Sequence, residues 1–205
     1  MVEFGDLSAH SPEDAPSQVF VAHLMAGLAA SGAKRIFLAP GARSQALAIA
    51  AGQLADAGKA ELHVRIDERS LGFTALGAAL ASDEPSIVIC TSGTAVANLH
   101  PAVLEASHSG VPLILLTADR PHELRGVGAN QTTDQVGIFA DAVRVCFDVE
   151  APAHPDCGLD SVSELVSTAI MAALGHNNSQ PGPVQINLAF REPLSAITPN
   201  AAVSR

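Results

Sequence analysis

"SQVFVAHLMAGLAASGAKRIFLAPG", residues 17–41, changes its period partway along. Val19, Leu24 and Leu28, with small residues between them, have helical spacing. "RIFLA" (35–39) is a short apolar run of the kind a buried strand makes, and Gly32 lies near the join. The alternation recurs down the chain. Strands are predicted at 35–39, 62–66 ("LHVRI"), 86–91 ("SIVICT"), 113–117 ("LILLT"), 143–149 ("VRVCFDV") and 184–188 ("VQINL"), with helical segments near 43–57, 68–82, 94–108 and 161–174. Strands separated by helices at these intervals imply βαβ crossovers. The expected fold class is therefore α/β: a three-layer α/β/α domain on a six-stranded, mainly parallel sheet.

Composition agrees with that layout and excludes several functions. The 205 residues suffice for one sizeable domain, expected over 16–194 between a lead (1–15) and a tail (195–205). Hydrophobic residues make up 48% and charged residues 16%, with no Trp or Tyr and seven Phe, so the core is Ala, Val, Leu and Ile. Buried parallel strands under Ala-rich helices have this composition. A net charge of −10 argues against a nucleic-acid partner, whose phosphates demand clustered Lys and Arg. The N-terminus "MVEFGDLSAHSPEDAPSQ" lacks the basic start and apolar core of a signal peptide. No apolar run approaches the roughly 20 residues of a membrane span. Cys90, Cys146 and Cys157 lack metal-type or CxxC spacing and read as reduced cysteines of a cytoplasmic protein.

In an open α/β sheet the ligand crevice lies beyond the carboxyl ends of the strands, which singles out "PGARS" (40–44), "DERS" (67–70), "TSGTAVAN" (91–98) and "ADRPHELRGVGANQ" (118–131). The last is too long for a neutral connector. Arg43, Arg69, Arg120 and Arg125 fall in these loops and Arg65 lies close to one, a concentration that suits an anionic ligand because a guanidinium holds a carboxylate through two parallel bonds. Taken singly, each arginine is equally at home in solvent or paired with Asp67, Glu68, Asp119 or Glu123. At the helix start in "TSGTA" the backbone N–H groups can face an anion or be capped by Thr91, Ser92 or Thr94, and capping is the expected reading. His63, His100, His108 and His122 lack metal-ligand spacing, and neither GxGxxG, GxxxxGK[ST] nor GxSxG occurs. Glu68, in a first helical turn, is what the helix dipole favours. Residue chemistry alone thus reaches an α/β domain with an arginine-lined anion site.

"LAPGARS", "HVRIDERSLGFTALGAALAS", "ICTSGTAVANLHPAVLEA", "LLTADRPHELRGVGANQTTDQ" and "VQINLAFREPL", in this order, resemble the N-terminal pyrimidine-binding domain of the 2-succinyl-5-enolpyruvyl-6-hydroxy-3-cyclohexene-1-carboxylate synthases, thiamine-diphosphate enzymes of menaquinone biosynthesis. The resemblance runs from about Pro16 to Leu194. It implies decarboxylation of 2-oxoglutarate and addition of the succinyl unit to isochorismate, both multiply anionic. It gives Glu68 the position of the glutamate that bonds N1′ of the cofactor's aminopyrimidine and controls its tautomer. It sets Pro40 against the pyrimidine ring, and Arg43, Arg120, Gln131 and Asn130 against substrate carboxylates or the reacting intermediate. Ala42 departs from the family, where serine is commoner.

The resemblance further implies that Mg²⁺ and the cofactor's diphosphate are held by a separate domain whose GDG…N pattern does not occur here, so 195–205 reads as a linker. The metal set within this chain is accordingly none. A homodimer or homotetramer is expected of the full-length enzyme, and no turnover of the fragment alone. Two readings compete: a related thiamine lyase acting on pyruvate, such as an acetohydroxyacid synthase, and a non-catalytic anion-binding α/β module.

Overall fold

A computed structural model describes residues 15–176 and 179–194. Of the lead read from the sequence at 1–15, residues 1–14 lie outside the described residues, as does the linker at 195–205. Helix α1 (Pro16–Ala30) begins with a proline, whose missing N–H costs nothing in a first turn, and feeds strand β1 (Arg35–Leu38). There follow α2 (Gln45–Asp56), β2 (Glu61–Val64), α3 (Glu68–Ser82), β3 (Ser86–Cys90), α4 (Thr94–Asn98), α5 (His100–Ser109), β4 (Leu113–Asp119), β5 (Cys146–Val149), α6 (Leu159–Leu174) and β6 (Val184–Ala189).

The six strands pair in the order β2-β1-β3-β4-β6-β5, every pair parallel. Side chains alternate across the sheet. Ile36, Leu38, Ile87, Ile89, Ile114, Leu116 and Ile186 pack with α1, α2 and α6 on one face. Phe37, Val88, Cys90, Leu113 and Leu115 pack with α3, α4 and α5 on the other. This is the three-layer arrangement expected. The inner strands β3, β4 and β6 are buried along their whole length, and the edge strands β2 and β5 are not.

Two details depart from the expected elements. The helix predicted over 94–108 is broken at Leu99 into α4 and α5, where Pro101 in the first turn of α5 supplies no N–H to continue the ladder. The strand predicted from 143 starts at Cys146, because the Arg144 guanidinium leaves the sheet for Ser107 and the carbonyls of Gln180 and Pro181.

Order reverses at β1. The chain passes outward from β1 to β2 through α2, then crosses back through α3 to β3 on the other side. The loops after β1 and β3 therefore leave the sheet side by side with their helices on opposite faces, which opens a crevice there. The connection from β4 to β5 must skip the place later taken by β6, and residues 120–145 do so without a long helix, in 3₁₀ turns at His122–Leu124 and Ala140–Ala142. Phe139 anchors its far end in the α3–α5 layer, edge-on to His100 at 5.6 Å.

Candidate active site

Asp67 and Glu68, side by side at the end of β2, have different work. Asp67 is the N-cap of α3, its carboxylate accepting the Ser70 N–H at 2.8 Å. That contact turns the Glu68 side chain free of capping. Half-buried at the first residue of α3, it has no hydrogen-bond or ion-pair partner among the described residues. Its charge is felt by the buried Cys90 thiol at the end of β3, which burial first and Glu68 second push far above the usual thiol range. Glu68 thus starts α3 at the carboxyl end of β2, beside the β1/β3 crevice.

The walls of that crevice are close-packed backbone. A Cβ on Gly41 would lie 2.3 Å from Cβ of Thr91, so only glycine lets the loop after β1, carrying the exposed Pro40, lie against the end of β3. Gly93 has φ +83°, and a Cβ there would stand 3.1 Å from the Gln131 carbonyl oxygen. Both the conformation and the approach demand glycine.

Thr91, Ser92 and Thr94 do not cap α4, contrary to the sequence reading: no side chain caps that helix. The hydroxyl of Ser92, fully buried, instead donates to the Gln131 carbonyl at 3.1 Å and accepts a bond from the Arg120 guanidinium. Arg120 also donates to the Gln131 carbonyl at 3.1 Å, and the Gln131 amide returns to the Ser92 carbonyl. Burial, and then the neighbouring Arg43, pull the Arg120 guanidinium below the ordinary arginine value. Arg43 comes from the 3₁₀ turn Ala42–Ser44 and donates to the Phe190 carbonyl at 2.9 Å, beyond the end of β6. Two nearly buried cations therefore meet at the carboxyl ends of β1, β4 and β6. Asn130 is exposed, its carbonyl accepting from Thr132.

The other loop arginines separate from this pair. Arg125 forks onto Asp148 at 2.7 and 2.9 Å, reaches the buried Asp119 at 3.0 Å and donates to the Arg120 carbonyl. It is a structural cation with two carboxylates already in hand. Arg65 donates to the Val64 carbonyl, and Arg65 and Arg69 are exposed. A cavity of about 410 Å³ lies behind the 121–136 loop, lined by Asp119, Arg125, Thr132, Asp134 and Gln135, apart from Glu68, Arg43 and Arg120.

Beneath the site runs a polar layer that sequence reasoning missed. Gln135, fully buried, accepts the Gly93 N–H at 3.1 Å and donates to the Ala118 carbonyl at 2.9 Å and to Asn187 Oδ1 at 2.8 Å. Asn187 in turn accepts from the Thr117 hydroxyl and donates to Asp119 and Asp148. One glutamine side chain thus ties together the loops after β3 and β4 and strand β6. The signal available was the alternation in "VQINL", where Gln185 and Asn187 occupy one face.

The fork from Arg125, with smaller help from Asn187, holds the Asp148 carboxyl below the usual carboxylate range. A depressed folded pKa contributes stability above the unfolded value of about 3.9 and loses it as pH falls through the folded value. The urea midpoint of wild type is therefore expected to fall on acidification below about pH 4. That acid-dependent loss is expected to be smaller in Asp148→Asn, and equal losses in the two proteins would count against the linkage.

The family described as thiamine pyrophosphate enzyme, N-terminal TPP binding domain, matches residues 19–138, which run from α1 into the loop after β4 and include Pro40, Arg43, Glu68, Ser92, Arg120 and Gln131. The chain belongs to this thiamine pyrophosphate enzyme family. Thiamine diphosphate is accordingly the cofactor of this domain type, and the six-stranded parallel sheet is its fold. The thiamine pyrophosphate-binding domain is similar to three proteins named 2-succinyl-5-enolpyruvyl-6-hydroxy-3-cyclohexene-1-carboxylate synthase. The one from Leifsonia xyli subsp. xyli is 50% identical over 90% of this chain and 31% of its own length. Those from Kineococcus radiotolerans and Thermobifida fusca are 51% and 50% identical over 88% and 87% of this chain, and 32% and 31% of theirs. The domain spans about a third of these relatives. No helix among the described residues is long and apolar enough to cross a membrane, and no group of three His, Cys, Asp or Glu among them could hold a metal ion.

Proposed function

We propose that this chain is the pyrimidine-binding part of a cytoplasmic 2-succinyl-5-enolpyruvyl-6-hydroxy-3-cyclohexene-1-carboxylate synthase, which decarboxylates 2-oxoglutarate and adds the four-carbon unit to isochorismate. The observation that carries this reading is an unpartnered carboxylate, Glu68, directly after β2, with two nearly buried guanidinia, Arg43 and Arg120, in the loops after β1 and β4 at the same carboxyl edge of the sheet. The chain's half identity to synthases of that name supports it.

The donor set fits the aminopyrimidine. Glu68 has free lone pairs, stands half-buried, and can accept a bond from a protonated ring nitrogen and exchange that proton with it. Pro40, exposed at the end of β1, offers the ring an apolar contact. When bound, thiamine diphosphate supplies the electron sink for the carbon left by decarboxylation. Glu68 holds or releases one proton at N1′ and so sets the tautomer. Arg43 and Arg120 bind carboxylates in a region where burial strengthens each contact, with Gln131 and Asn130 at the rim. On this reading Mg²⁺ and the cofactor's diphosphate are held outside this chain. The exposed Phe73 and Leu80 of α3 and Leu104 of α5 support association, as a homodimer or homotetramer, through that face.

The test uses the full-length gene product with 2-oxoglutarate, isochorismate, thiamine diphosphate and Mg²⁺. Isochorismate is expected to disappear at a rate that depends on 2-oxoglutarate, and the 205-residue chain alone is expected to be inert. Consumption of pyruvate with isochorismate untouched would favour an acetohydroxyacid-type lyase instead.

A further inference from the structure

Arg43 is not idle in this structure. Its side chain is 11% exposed, and Nη1 is fixed by the Phe190 carbonyl at 2.9 Å. Nη2 faces a carboxylate from the same segment, Glu192 Oε1, at 3.3 Å, while Nε is buried with no hydrogen-bond partner among the described residues. The two contacts differ in kind. The carbonyl is buried backbone at the end of β6 and holds the guanidinium in place whatever else happens. Glu192 is 70% exposed, touches one nitrogen only and contributes a charge rather than a clamp.

We propose that Glu192 is a resident counter-ion of Arg43, which the carboxylate of an anionic substrate displaces, so that Glu192 sets the affinity of the site for that substrate. This rests on the reading of Arg43 as a carboxylate-binding residue. A nearly buried guanidinium with an empty Nε is unsatisfied as it stands, and a solvated single contact is a poor partner for it. An incoming carboxylate can take the Nη2 contact in place of Glu192. Glu192 then swings into water at little cost. Its charge also reaches Arg120, where Asp119 first and Glu192 second oppose the lowering caused by burial and Arg43. With Glu192 present, each substrate carboxylate must compete for Arg43. Without it, Arg43 loses its carboxylate partner and binds anions more tightly.

The sign of the effect separates this role from a structural one. In the full-length enzyme, Glu192→Gln is expected to lower KM for 2-oxoglutarate or isochorismate about three- to fivefold, the size of one half-exposed ion pair, with kcat within about twofold of wild type. If Glu192 merely oriented Arg43, KM would rise. A second readout needs no turnover. Succinate, as a plain dicarboxylate, is titrated into the 205-residue chain while the Arg43 Nε–H resonance is followed by NMR, and half-saturation is expected at about three- to fivefold lower succinate in Glu192→Gln. An unchanged titration with KM unchanged or raised overturns the proposal and leaves the synthase reading standing. A tighter titration in a protein that leaves isochorismate untouched overturns the synthase reading and leaves the counter-ion exchange standing.

Discussion

Glu68→Gln is expected to lower kcat of the full-length enzyme by about 10²- to 10⁴-fold, the range general acid–base groups contribute, while changing stability by only about 0.5 kcal/mol. The two numbers discriminate because the residue has two available explanations. As a first-turn carboxylate, Glu68 contributes to α3 through the helix dipole, and glutamine forfeits a few tenths of a kcal/mol of that. Asp67 already supplies the cap through Ser70, so the helix start does not depend on Glu68. As a proton partner for N1′, its loss removes a step that glutamine cannot perform, since an amide does not exchange a proton with a ring nitrogen at neutral pH. The side chain has no described partner to leave behind, so the variant keeps its fold. Parallel urea titration and steady-state kinetics on wild type and variant check both halves. A variant with near-normal turnover would reduce Glu68 to a dipole residue.

The layout of the domain was legible in its period changes. "RIFLA" and "SIVICT" are apolar on both faces, as β1 and β3 prove to be, because inner parallel strands are covered on each side. The ends of elements were less so. Nothing local marks Arg144 as leaving the sheet for partners 37 residues away, and the break at Leu99 needed Pro101 to be weighed above the apolar spacing around it. In the site, the loop arginines could be gathered by the carboxyl-end rule but not sorted. Arg125 looked like Arg43 and Arg120 until Asp148, 23 residues on in β5, took its fork. Glu192 carried no signal at all, since an exposed glutamate after the last strand is common on any surface. Ser92 was read as a cap because serine before a helix usually is one, and here the buried Arg120 outcompetes the helix for its hydroxyl.

Gln135→Leu is expected to destabilise the domain by about 3–5 kcal/mol, more than any other single change in the crevice. Leucine fills a similar volume, so the loss is not one of packing. It arises because three buried groups lose their partner together: the Gly93 N–H, the Ala118 carbonyl and Asn187 Oδ1. An unsatisfied buried polar group costs about 1–3 kcal/mol, and the loss is partly offset where a neighbour remains, as Thr117 does for Asn187. The damage is expected to be local before it is global. Gly93 carries Ser92 beside it, Ser92 holds Arg120, and the loop after β4 begins at Arg120, so freeing Gly93 loosens the surroundings of Arg120. Hydrogen exchange should therefore rise at the Gly93 amide and through 120–135 at urea concentrations where the N–H groups of β3 stay protected. If Gly93 exchange is unchanged in Gln135→Leu, the side chain of Gln135 is not what fixes that loop, and the polar layer beneath the site is held by Asn187 and Asp119 instead.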